Sequence, residues 1–172
     1  MDSPDWAFFI CYKSANAACM VSSEFEPLLN VAKACVLRHG AEVVELVVRG
    51  DQLHRVVELY VDSEPGISLG HCQEISKSLI QEIELQSLIN GSYRLDVSSP
   101  GIDRPLKHPW QYRKHLGRNV EVTWEASGSR HTTAGKLAVV DNDGIVLETV
   151  KGGDGQRLGF ELLIETKVKT PW

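Results

Sequence analysis

No stretch of this 172-residue chain approaches the roughly 18 consecutive apolar residues that a membrane-spanning helix needs, because charge cuts every apolar run within a few positions. A membrane span is excluded on that ground. The opening residues include the mildly apolar Trp6-Ala7-Phe8-Phe9-Ile10-Cys11, but they lack the positive n-region of a secretory signal and carry Asp2 and Asp5 instead. Residues 1–22 are expected to form a disordered tail, within which Met20 offers an alternative start. Paired cysteines are also missing. Cys11, Cys19, Cys35 and Cys72 form no C-x-x-C and no regular framework, and a chain long enough to bury its own core does not need disulfides. Reduced thiols in the cytosol are the expectation.

Three signatures of chemistry are absent too. Ser98 or Ser99, His71 or His108, and Asp96 or Asp103 supply the residue types of a hydrolytic triad, but no G-x-S-x-G elbow exposes a serine, and serines before Pro-Gly usually make turns. Cys35 and His39 lie four apart, and His71 adjoins Cys72, yet no spacing completes four metal ligands and both thiols fall on apolar faces. Gly152-Gly153-Asp154-Gly155 has a GXXG form in a hairpin turn, with no helix after it and an aspartate that repels phosphate. The chain is therefore read as a non-enzyme with no cofactor and no metal.

What is present is an ordinary globular composition, 42% hydrophobic and 24% charged, at the length of one large or two small domains. The net charge of −5 is unevenly spread. Residues 1–99 carry 7 Lys and Arg against 14 Asp and Glu, residues 100–136 carry 7 against 3, and residues 137–172 carry 4 against 6. An acidic first half repels phosphate backbones and suits a basic protein partner. The basic middle, Arg104, Lys107, Arg113, Lys114, Arg118, Arg130 and Lys136 with Trp110 and Tyr112 interleaved, suits RNA or an acidic surface, or is simply a solvated face.

Helical spacing of Phe25, Leu28, Leu29, Ala32, Cys35 and Val36 predicts a helix from Ser23 to His39, with Ser23 and Glu26 as a capping box, Pro27 in the first turn and Gly40 as the stop. Val44, Leu46 and Val48, then Val57, Leu59 and Val61, alternate with polar residues across Gly50-Asp51 and predict an antiparallel hairpin. Ser68 caps a second helix whose Cys72, Ile75, Leu79 and Ile83 share a face, with Ile67 stapled against Cys72. Tyr93, Leu95 and Val97 mark a third strand. The first domain, residues 23–98, is thus α-β-β-α-β, a three-stranded sheet with helices on one face.

The stretch Ser98–Leu106 holds two prolines and a glycine, a short helix follows from Pro109 to Gly117, and residues 99–117 read as a rigid connector that fixes one domain relative to the other. Beyond it, residues 118–172 predict five short strands: Val120–Trp124, Thr132–Val140, Ile145–Val150, Leu158–Phe160 and Ile164–Val168. Such strands argue for a small closed barrel, since closure removes exposed edges.

The strand Tyr93-Arg94-Leu95-Asp96-Val97 running into Ser98-Ser99-Pro100-Gly101-Ile102-Asp103-Arg104-Pro105-Leu106 closely resembles the signature of the ribosome maturation factor RimP family. The resemblance extends from about Phe25 to Val168 and takes in Gly66-Ile67-Ser68, Cys72 and Gly135-Lys136-Leu137, while His71 stands where the family often carries an acid. It implies an α+β chain whose second domain is an Sm-like β-barrel, and a monomeric cytoplasmic factor in maturation of the small (30S) ribosomal subunit. It also implies no catalysis. The expected partner is the precursor of that subunit, through a basic ribosomal protein of the decoding region and through rRNA. A general RNA-binding module is the alternative. The connector either only locks the interdomain angle or also touches the partner. In the second case the residues are Ser98, Ser99, Asp103 and Arg104, with Lys107, Arg113 and Lys114 as the RNA-facing cations.

Overall fold

A computed structural model describes residues 23–51, 53–102, 104–148 and 155–169. The expected N-terminal tail, Asp103 and the Gly152-Gly153-Asp154 turn lie outside these residues. Helix α1 spans Glu26–Arg38, with Pro27 in its first turn. Its N-cap is Phe25, with no side-chain cap, and Ser23 stands further back in a 3-10 turn, Ser23–Phe25, so the expectation of a Ser23–Glu26 capping box at the helix start is corrected. The stop is as expected. Gly40 takes φ +69°, Ala41 N–H donates to the Val36 carbonyl (3.2 Å) and Gly40 N–H to that of Leu37 (2.9 Å), the paired bonds of a Schellman ending.

Strands β1 (Glu42–Arg49) and β2 (Arg55–Asp62) pair antiparallel, and β3 (Tyr93–Ser98) joins β2 in parallel after the crossover through α2 (Leu69–Leu85), giving the order β1-β2-β3. The Ser68 side chain caps α2 by accepting from His71 N–H (3.2 Å). Leu28, Ala32, Cys35 and Val36 of α1 meet Cys72, Ile75, Leu79 and Ile83 of α2 and the sheet residues Leu46, Val57, Leu59 and Val61 in one core, with Ile67 packed at its margin. Cys35 and Cys72 are free, buried thiols that act here as small apolar side chains, and burial pushes both above the ordinary thiol range. His39, beside Cys35 in sequence spacing, hydrogen-bonds Ser78 (3.0 Å).

One strand departs from simple alternation. The β1–β2 register slips between Val43 and Glu45, so that Val43 faces Val61 and Glu45 faces Tyr60. Val43 and Leu46 pack with the helix-side core, whereas Val44 is buried outside it, next to His108. The expectation that Val44, Leu46 and Val48 line one face is corrected by this bulge.

The second sheet has five antiparallel strands in the order β7-β6-β5-β4-β8. These are β4 (Asn119–Ala126), β5 (Ser129–Val140), β6 (Gly144–Glu148), β7 (Gln156–Gly159) and β8 (Leu163–Val168). Each of the five expected strands has a counterpart, but the expected Leu158–Phe160 strand is corrected, since β7 ends at Gly159 and Phe160 opens a 3-10 turn, Phe160–Leu162; positions 149 and 150 of the expected third strand lie outside the described residues. No ladder joins the edge strands β7 and β8 among the described residues, so the hydrogen-bonded order is that of an open sheet. Its core, Val120, Val122, Leu137, Ile145, Leu147, Leu158, Phe160, Leu163 and Val168, is separate from the first and also takes in Leu106 and Tyr112 from before β4. No helix among the described residues is long and apolar enough to cross a membrane.

Candidate functional site at the basic connector

The segment between Ser98 and Gly117 holds six of the seven sequence-predicted site residues within reach of description, and the fold treats them differently. Of its apolar residues, Leu106 and Tyr112 belong to the second core. Leu106 N–H donates to the Thr166 carbonyl (2.8 Å), and the Tyr112 hydroxyl donates to Thr166 Oγ1 (2.9 Å) while its ring meets Phe160 edge-on at 5.3 Å. Gln111 is almost fully buried and caps helix α3 (Pro109–Arg113): its Oε1 accepts from the N–H of Lys107 (2.8 Å) and of His108 (3.0 Å). Nothing in sequence pattern marked Gln111, since a glutamine at the third helical position is legible as a cap only once the helix start is known.

Three of the four cations of the same segment turn the other way, onto the open face of the first sheet. Arg104 pairs with Glu45 and lays its guanidinium over the Tyr60 ring, 3.5 Å from the centroid. Lys107 reaches the second oxygen of Glu45 (2.9 Å). Lys114 pairs with Asp62, whose side chain is 4% exposed and also accepts from Ser63 N–H (2.9 Å). The bulge in β1 brings Glu45 opposite Tyr60, and alternation in β2 puts Tyr60 and Asp62 on the same outer face, so one β-surface offers two carboxylates and a ring to three cations. Partial burial lifts the Glu42 carboxyl, opposed by the nearby Trp110 indole N–H, and burial lowers His108 despite the Val44 carbonyl beside it.

Arg104, Lys107 and Lys114 are therefore joined to first-sheet groups, while Arg113 is exposed and makes no ion pair among the described residues. Ser98 and Ser99 are exposed, and Ser99 Oγ accepts from Gly101 N–H (3.2 Å), the local turn expected of a serine before Pro-Gly. Asp96 pairs with Arg94 (2.8 Å). The serines and Asp96 are thus held by strand and turn bonds and are not gathered around His108.

The surface of the first unit keeps its acidic excess. Arg38, Arg49, Arg55 and Arg94 each hold a first-unit carboxylate, whereas Glu26, Glu64, Glu74 and Glu84 are exposed without an ion pair among the described residues. Such a surface attracts a cationic partner and repels phosphate. Residues 31–103, from the second turn of α1 to the start of the connector, match the family model described as the RimP N-terminal domain.

Proposed function

We propose, from the premise that this chain belongs to the RimP family, that it is a maturation factor that acts on the precursor of the small ribosomal subunit by binding and without catalysis. The observation that carries the reading is the family match over residues 31–103, which spans the acidic α/β unit and the start of the connector. The unpaired acids of that unit support a basic ribosomal protein of the decoding region as its partner, with rRNA as the second contact. The reading places the factor in the cytoplasm as a monomer, divided into a tail to residue 22, a domain over 23–98, a connector over 99–117 and a domain over 118–172. An Sm-like barrel for the last part is supported by the strand order, in which β8 returns past the β4-β5-β6-β7 meander to pair with β4.

A factor of this kind works by favouring one conformation of the assembling particle, which requires that it bind that conformation more tightly than the finished one. Sedimentation of the purified protein with immature subunits, mature small subunits and complete ribosomes tests this. Comigration that favours the immature particle is the expected result. Equal partition between immature and mature subunits would sink it, because a factor with no differential affinity shifts nothing.

A further inference from the structure

Of the cations Arg104, Lys107, Arg113 and Lys114, which the sequence offers either to RNA or to solvent, three hold carboxylates of the first sheet. Cations without an ion pair among the described residues lie further along, on the turn that leads from α3 into β4. Arg113 and Arg118 are exposed on that turn, and Leu116, 48% exposed, stands between them. Lys136 joins them from β5: Gly117 N–H donates to the Leu137 carbonyl (2.8 Å), Leu137 N–H donates to that of Arg118 (2.9 Å), and Lys136 Cε lies 4.0 Å from where a Cβ on Gly117 would stand. The acid nearest in register is Glu148, across the β5–β6 ladder from Lys136, and it makes no ion pair with it.

We infer that Arg113, Arg118 and Lys136 form a phosphate-binding patch through which the second unit grips ribosomal RNA, an inference that rests on the reading above and assigns its RNA contact to specific residues. Two arginines on one turn with a lysine beside them on β5 suit phosphate oxygens, since a guanidinium presents paired donors to them and a cation gains by releasing condensed counterions. The sign decides the partner class. The first unit offers exposed carboxylates to basic protein, and this patch offers the opposite charge to the other component of the same particle. An exposed leucine among the cations suits a ribose or base face and not a carboxylate.

The test measures binding of the full chain to protein-free small-subunit rRNA and to immature subunits across a salt series, for the wild type, the triple variant R113Q/R118Q/K136Q, the arginine-to-lysine variant R113K/R118K and, as a control on the first unit, K77Q. The expected result is a log–log salt slope for rRNA that is shallower by about 2 in the triple variant, and near wild type in R113K/R118K and K77Q. An unchanged slope in the triple variant overturns the patch, and so does an equal loss in K77Q, which would mean diffuse attraction. If wild type ignores immature subunits but binds rRNA with the patch-dependent slope, the maturation reading fails and the patch stands. If it binds immature subunits with a slope that the triple variant leaves unchanged, the reverse holds.

Discussion

His115 illustrates how one buried side chain couples the stability of this protein to pH. It is 7% exposed, and its Nδ1 has no hydrogen-bond partner among the described residues. Burial first, and then the Lys114 and Arg118 charges, bring it down to about 4, with Asp62 pulling the other way. The unfolded chain takes up a proton near the ordinary value of about 6.5, whereas the folded chain resists until about 4. Stability is therefore full above that ordinary value and falls as pH drops through this window, at up to about 1.4 kcal/mol per unit for one such group, then falls no further on this account. Urea midpoints taken from pH 7.5 to 4 should decline more steeply for the wild type than for His115→Asn, and equal slopes would remove His115 from the account. Tyr112 gives a second residue-scale expectation. Its hydroxyl, pushed up to about 12 by burial, is bonded to a buried Thr166. Tyr112→Phe leaves that threonine oxygen without its donor and should cost about 1–2 kcal/mol in the same denaturation assay.

At the scale of elements, two glycines separate conformational cost from steric cost. Gly40 sits at positive φ with nothing within 4 Å of an added Cβ, so Gly40→Ala costs only the left-handed backbone, about 1 kcal/mol. At Gly144 an added Cβ would lie 2.2 Å from the Leu158 carbonyl oxygen, which forces β6 and β7 apart, so Gly144→Ala should cost more, up to about 3 kcal/mol. Thermal melts of the two variants check the order, and a smaller loss at Gly144 would show that the β6–β7 pair yields easily. The periods that build these elements were legible from the amino-acid order: 3.6 for the α2 face through Cys72, Ile75, Leu79 and Ile83, and 2 for Val57, Leu59 and Val61. The bulge in β1 was not, because Val43 and Val44 are both apolar and either can continue an alternating pattern. Nor were the pairs that bind Arg104 and Lys114, since Glu45 and Asp62 lie 59 and 52 positions away and look like solvent-side residues of their strands. Charge patterning along the chain marked these cations as a solvated face or a contact for RNA or an acidic surface, and folding places carboxylates of the first sheet beside Arg104, Lys107 and Lys114.

For the whole molecule, those ion pairs turn the connector into a joint of two kinds. Toward the second core it is held by apolar burial, through Leu106 and Tyr112, and toward the first sheet by ion pairs and one cation–π contact. The pairs at Glu45 are partly open to water and contribute modestly, but Asp62 is nearly sealed, and removing the partner of a sealed charge costs about 3–5 kcal/mol where the surroundings cannot move. Here they can move. Both units have their own cores, so the cheaper response to losing Lys114 is for the first sheet to part from the connector and let water reach Asp62. Lys114→Met should then leave the circular dichroism of both units near wild type while small-angle scattering reports a larger and broader radius of gyration, and the double variant D62N/K114M, with no buried charge to hydrate, should recover much of the compact form. A scattering curve for Lys114→Met that matches wild type would mean that the prolines and apolar anchors fix the angle alone. If the ionic joint does fix it, the acidic surface and the Arg113 turn stand at a set offset before binding, and docking on a particle incurs less ordering cost than two loosely tethered modules would.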